Sequence, residues 1–131
     1  APGSQKYPPG VGWLYPSVGN FIAFVGNTRY DKLIRQVVAA FRSSEKFPSE
    51  GGALPEIVSS IRRSDHWSFW QEGYPALMVT DTAPFRYPYY HEPEDTLDKI
   101  DFEKLARVVR GLRQVVSALV NGTPDDVSSV Q

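Results

Sequence analysis

Residues 64–96, SDHWSFWQEGYPALMVTDTAPFRYPYYHEPEDT, decide how the rest of the chain is interpreted. This stretch contains both histidines of the chain, in the clusters Ser64-Asp65-His66 and Tyr90-His91-Glu92. A short apolar run between the clusters, residues 76–79, is typical of a strand. Ligands of open α/β sheets bind at the carboxyl ends of the strands. We therefore expect both clusters to meet at one edge of a sheet and any chemistry to take place there.

The part of the chain before this stretch predicts one strand and one helix. Residues 21–25, FIAFV, are a continuous apolar run, as in a central parallel strand that is buried on both faces. Residues 28–42 carry apolar side chains at three- and four-residue spacing, which indicates an amphipathic helix capped by Asn27 or Thr28. Residues 43–63 are polar and interrupted by proline and glycine, so we expect a long surface connection there.

The part from residue 64 onward predicts two helices on either side of a second strand. Ser64 or Asp65 caps a short helix that Gly73 ends, and residues 76–80 form the strand. An irregular loop follows over residues 81–98. Asp101 then caps a long helix that ends at residues 121–122. Its apolar stripe consists of Phe102, Leu105, Val109, Leu112, Val116 and Leu119.

This order of elements indicates the α/β class, with a mostly parallel sheet flanked by helices in a partial three-layer sandwich. Two strands are too few for a parallel sheet, which is normally buried on both faces. We therefore expect residues 1–122 to be the C-terminal portion of a larger α/β domain, and residues 123–131 to be a flexible tail.

Composition excludes several classes of partner. The chain has 131 residues, enough for one domain, and a formal net charge of −1 without a basic face, which argues against nucleic acid. No apolar run approaches the roughly 20 residues that cross a membrane, so we expect no membrane partner. The chain has no cysteine, so any metal must be bound by histidine and carboxylate.

Each cluster has a functional and a structural interpretation. His91 is followed by Glu92, Glu94 and Asp95, so it could bind zinc with a carboxylate orienting the ring. It could equally be a loop histidine that is hydrogen-bonded to a neighbouring acid. His66 could simply pack in the core, and Asp65 could do no more than cap the helix. Consecutive residues on a helix diverge, so Ser64, Asp65 and His66 are not a hydrolase triad.

The longer run over residues 64–109 closely resembles the C-terminal end of the zinc-dependent aminopeptidases. This metallopeptidase family has relatives among glutaminyl cyclases and carboxypeptidase-like exopeptidases. The shared signatures are SDH before a short helix, GYPA at the entry of a strand, and YH followed by DTLD and a terminal helix. These motifs occur in the family's order.

The resemblance implies a function in peptide hydrolysis with two zinc ions. It implies that His91 is the family's last zinc ligand and that Tyr90 hydrogen-bonds the developing oxyanion. Asp65 and His66 match the SDH element, which supports the pocket. The family's other metal ligands and its general base lie upstream of the region that this chain resembles.

The missing ligands lead to three expectations. The chain resembles the C-terminal part of such an enzyme, whose complete form acts on peptide substrates. By itself the chain is expected to lack peptidase activity and to self-associate through its uncovered sheet edge. The alternative is a non-catalytic binding or oligomerisation module built on the same half-fold.

Overall fold

The computed structural model describes residues 2–10 and 12–122, which form a small sheet with helices packed against it. The strands in this part are β1 (Ile22–Asn27), β2 (Ser49–Leu54) and β3 (Met78–Thr80), and the α-helices are α1 (Asp31–Ser44), α2 (His66–Gln71) and α3 (Phe102–Asn121). The predicted α/β class with flanking helices is confirmed. The predicted flexible tail, residues 123–131, lies outside the described residues.

The sheet is mixed, with β1 in the middle of the order β2-β1-β3. β1 pairs in parallel with β2, as expected for a central strand, but it pairs antiparallel with β3. The reason is the short link after α2. Trp70 of α2 donates from its indole N–H to the carbonyl of Ala76 at 2.9 Å, and Met78 pairs with Val25. β3 therefore starts near the carboxyl end of β1 and runs back along it.

The assignment of residues 43–63 to a surface connection is wrong, because β2 lies within them. The sequence of β2, SEGGAL, lacks the branched and aromatic residues that favour strands. Its glycines instead permit close packing on both faces. A Cβ atom at Gly51 would lie 3.0 Å from Val38 of α1, and one at Gly52 would lie 3.2 Å from the Tyr15 hydroxyl.

The main core lies between the sheet and helices α1 and α3. As the sequence predicts, Asn27 caps the turn before α1, because its side chain accepts a hydrogen bond from the Arg29 N–H at 3.1 Å. The buried core residues are Ile22, Phe24, Ile34, Val37, Val38, Phe41, Phe47 and Val115. Phe24 and Phe41 meet edge to face, with ring centroids 5.2 Å apart.

Helix α3 has the predicted cap and end, but it buries a different face from the predicted stripe. Asp101 accepts a hydrogen bond from the Lys104 N–H at 3.0 Å. The residues that pack on α1 and the sheet are Val108, Gly111, Leu112, Val115 and Leu119, whereas Phe102, Leu105, Val109 and Val116 are exposed. The helix turns this way because Gly111 leaves room for the Phe41 ring. Neither α3 nor any other helix of the described residues is long and apolar enough to cross a membrane.

A smaller cluster covers the other face of the sheet and completes a third layer at one end. Tyr30, Ile61 and Trp70 are buried together and contact Val25 and Leu54 of the sheet. Of the other aromatic residues of α2, Trp67 is half-buried against this cluster and Phe69 is exposed. The rest of this face lines a cavity, which is described below.

Candidate functional site

The loop after β3 presents Tyr90 and His91 side by side on the surface. Their rings stack, with centroids 3.9 Å apart and planes 20° apart. Tyr90 is 40% exposed, and His91 is exposed too. One phenol hydroxyl, which can donate a hydrogen bond, therefore lies next to one imidazole, which can bind a metal ion.

His91 adopts a backbone conformation that few residues other than glycine adopt. Its φ angle is +62°, in the left-handed region. Residues held there cluster at functional sites, and the surrounding structure must hold them in place. Two backbone hydrogen bonds form successive turns around His91, from the Glu92 N–H to the Tyr89 carbonyl at 3.0 Å and from the Asp95 N–H to the Glu92 carbonyl at 3.0 Å.

A side-chain hydrogen bond connects the two ends of this segment. The Tyr87 hydroxyl donates to Asp95 Oδ1 at 2.9 Å. Partial burial of the Tyr87 phenol, together with this hydrogen bond, raises the pKa of Tyr87 to about 12. The Tyr87 ring also meets the Tyr89 ring edge to face at 5.6 Å, and the Lys99 ammonium lies 5.5 Å from the centre of the Tyr89 ring.

The other predicted cluster, Ser64-Asp65-His66, differs from the first because its histidine is buried. His66 is 6% exposed, its Nε2 lies 2.5 Å from the Ile61 carbonyl oxygen, and its ring packs against Trp70 at 4.7 Å. It joins α2 to the turn at Ser59–Arg62. Asp65 is exposed, and its side chain makes no capping hydrogen bond within the described residues, so the expected cap is wrong.

The two clusters do not meet at the carboxyl ends of the strands as expected. Instead, one residue from each cluster lines a cavity on one face of the sheet. β3 runs antiparallel, so the chain leaves it at Thr80, which pairs with Ala23 near the start of β1. The loop then returns, and Tyr90 and Ser64 line the same cavity of about 320 Å³. The sheet contributes Ala23, Val25, Gly52, Leu54, Met78 and Thr80 to its wall.

The N-terminal segment forms the opposite wall of this cavity. Tyr7 and Tyr15 both line it, and their rings stack at 5.8 Å. The Tyr15 hydroxyl donates to the Gly51 carbonyl at 3.4 Å. Burial, and then the negative charge of Glu50, raise the pKa of Tyr15. The proline-rich segment is thus attached to the sheet by its aromatic residues.

The described residues do not assemble a zinc site by themselves. A catalytic zinc ion needs three protein ligands and an open position. No group of three or more histidine, aspartate or glutamate residues lies close enough together within residues 2–10 and 12–122.

Sequence reasoning missed the residues that support the loop. Arg86 donates from Nη2 to the Phe21 carbonyl at 2.9 Å, and its guanidinium lies 5.3 Å from the centre of the Phe21 ring. Its Nη1 is buried and has no hydrogen-bond partner among the described residues. No pattern in the sequence distinguishes Arg86 or Tyr87 from other polar loop residues, because their partners are distant in sequence.

The sequence of the chain is similar to sequences of known proteins. The sequence model of peptidase family M28 matches residues 22–116. YfbL, an uncharacterized protein of Escherichia coli (strain K12), is 44% identical over 122 residues. The matched region is 92% of this chain but 37% of YfbL, so the chain spans little more than a third of this relative. No solved structure matches the chain.

Proposed function

Because the chain belongs to peptidase family M28, we propose that it is the C-terminal portion of a zinc-dependent exopeptidase that removes N-terminal residues from peptides. In this proposal His91 is one zinc ligand and Tyr90 donates a hydrogen bond to the reacting carbonyl oxygen. The observation that carries it is the stacked pair of Tyr90 and His91, exposed on one loop with His91 at a φ of +62°.

The chemistry of peptide hydrolysis explains why these two side chains would be adjacent. Attack on the carbonyl carbon places negative charge on its oxygen, and a fixed hydroxyl donor lowers the energy of that state. The Tyr90 hydroxyl is such a donor, and the ring stack fixes it relative to His91. A carbonyl bound beside His91 would therefore have a donor close to its oxygen.

Asp65 and His66 have a supporting role in this proposal. His66 binds the Ile61 carbonyl, and both Ile61 and Ser64 line the cavity that Tyr90 also lines. The buried imidazole therefore holds the cavity wall next to the reacting groups. Asp65 lies exposed between Ser64 and His66, and we propose that it contributes to the pocket in the complete protein.

We also propose that this chain alone is inactive. It provides a single exposed histidine, and its described residues contain no three-ligand cluster. The remaining ligands and the general base then come from the part of the complete protein that this chain does not include. The alternative, a non-catalytic binding or oligomerisation module, is favoured by the exposed apolar residues of α3.

The test is a hybrid protein in which this chain replaces the matching 122 residues of YfbL. We expect YfbL and the hybrid to release the N-terminal residue of an aminoacyl p-nitroanilide. We expect a chelator to abolish this release and added zinc to restore it. Loss of an outer-shell partner of a metal ligand typically costs roughly 10–100-fold, so loss of the ligand itself in His91→Ala should lower the rate at least about 100-fold. Glu72→Gln, an exposed carboxylate outside this loop, is the control.

Three results would contradict parts of this proposal, and the third would favour the alternative function. Activity of the isolated chain would contradict the claim that its site is incomplete. Full activity of the His91→Ala hybrid would remove His91 from the site. Inactivity of both YfbL and the hybrid, with zinc added and both proteins folded, would favour the non-catalytic module.

A further inference from the structure

The Tyr87 to Asp95 hydrogen bond encloses the whole segment that carries Tyr90 and His91. The two ends of this segment, at Tyr87 and Asp95, differ in how firmly they are attached to the rest of the domain. The Tyr87 N–H donates to the Ala83 carbonyl at 2.8 Å, and the neighbouring Arg86 binds the Phe21 carbonyl at 2.9 Å. Tyr87 is thus fixed to the body of the domain, next to the start of β1.

Asp95 has no comparable attachment to the domain in the part of the chain that the structure describes. Its contacts are the turn bond from its N–H to the Glu92 carbonyl and the bond that its carboxylate accepts from Tyr87. Asp95 is also exposed. The hydroxyl of Tyr87 is therefore what links this end of the segment to the fixed end.

The other hydrogen bonds of the segment between them are local, and beyond these the Tyr89 ring contacts the Tyr87 ring and the Lys99 ammonium. The turn bonds from Glu92 and Asp95 span three residues each, and the bond from the Tyr90 N–H to the Tyr87 carbonyl is long at 3.4 Å. The left-handed conformation of His91 has a conformational cost, and its surroundings must offset that cost. Local turn bonds in water contribute little against that cost.

We infer that Tyr87 and Asp95 are positioning residues, whose hydrogen bond holds residues 88–94 in the conformation that presents His91 and Tyr90 together. The importance of this for catalysis rests on the proposed function. The ordering of the segment does not rest on the proposed function, and it can be measured on the chain without metal or substrate.

The experiment is NMR relaxation of the ¹⁵N-labelled chain, read at the backbone amides of residues 89–92 and 94. Tyr87→Phe removes only the hydroxyl, and Asp95→Ala removes the acceptor. Asp95→Asn keeps an oxygen that can accept the bond and is the conservative rescue. The imidazole signals of the two histidines report separately, because His66 is buried and should not respond.

We expect the order parameter of the His91 amide to fall from about 0.85 to below about 0.6 in both Tyr87→Phe and Asp95→Ala. The double variant should be no more mobile than either single variant, because both remove the same bond. Asp95→Asn should stay close to the parent. Amides of β1 and the His66 signals should not change in any variant, which shows that the fold is intact.

Two outcomes would overturn the inference. One is an unchanged order parameter at His91 in Tyr87→Phe with the fold intact. The other is loosening in Asp95→Ala alone, because Asp95 would then act through a partner other than Tyr87. The hybrid assay fails or succeeds independently: an inactive hybrid with an ordered segment would contradict the proposed function and leave the inference standing.

Discussion

The imidazole of His91 lies flat against the phenol ring of Tyr90, with ring centroids 3.9 Å apart. Adjacent residues in a strand or helix point in different directions, so this arrangement depends on the left-handed backbone at His91. The loop therefore places a hydrogen-bond donor and a potential metal ligand on the same side of the chain.

Tyr90→Phe separates the role of the hydroxyl from that of the stack. The phenylalanine ring can still stack on His91, but it has no group to donate to an oxyanion. In the hybrid we expect kcat to fall about 100-fold, as for loss of one oxyanion donor, with KM and zinc content little changed. Steady-state kinetics measure this. An unchanged kcat would remove Tyr90 from the reaction.

Gly111→Ala should destabilise the fold. An added Cβ would lie 2.2 Å from the Phe41 ring, and Phe41 is fully buried, so α1 and α3 must move apart. The steric clash should lower the free energy of unfolding by about 1–3 kcal/mol. Replacing a helical glycine with alanine raises it by only roughly 1 kcal/mol, so we expect a net loss of stability. Urea denaturation measures the resulting change in the free energy of unfolding. Gln114→Ala, on the exposed face of α3, should change stability little, and equal stability of the two variants would contradict this packing.

Glu45 should make the stability of the chain depend on acidic pH. Hydrogen bonds from Arg107, at 2.7 and 3.1 Å, lower the pKa of Glu45 below its ordinary value of 4.5. Since the folded pKa is lower, the stabilisation is present above about pH 4.5 and is lost as the pH falls through the folded value. Glu45→Gln should therefore be less stable than the parent at pH 7, and this difference should shrink by pH 3. A difference in stability that does not change with pH would contradict this role of the ion pair.

We propose that the exposed apolar side of α3, together with the open edge of β2, makes the chain self-associate. Val109 is 56% exposed and Val116 is 59% exposed, so their replacement should leave the core intact. Val109→Glu/Val116→Glu should shift the chain toward monomer in sedimentation velocity at high concentration. Gln114→Glu, on the opposite side of the helix, should not. A parent chain that stays monomeric at high concentration would contradict self-association.

The parts of the fold that sequence predicted well are those with a strong apolar period. β1 is a continuous apolar run, and α1 and α3 repeat every three to four residues, so each buries enough surface to fix its type. β2 has no such signal. Its two glycines weaken the intrinsic preference for a strand, and it forms because β1 offers an edge and because Val38 and Tyr15 can approach Gly51 and Gly52 closely.

The candidate site was predictable only where residues are adjacent in sequence. Tyr90 and His91 were identified from local composition and motif, and their roles stay predictions. Packing in the core was one of the two interpretations of His66, but the sequence could not decide for it, because the burial depends on Ile61 and Trp70 meeting in space. The direction of β3 could not be predicted either, because a strand of three residues carries no information about the strand with which it will pair.

The most direct test of the central claim is the zinc content of the purified hybrid, measured by elemental analysis after dialysis against zinc and then against buffer. The parent hybrid, His91→Ala and the control Glu72→Gln should be compared at equal protein concentration. If His91 is a ligand, the His91→Ala hybrid should hold at least one zinc ion fewer than the other two proteins. Equal zinc in all three folded proteins would contradict the assignment of His91 as a ligand.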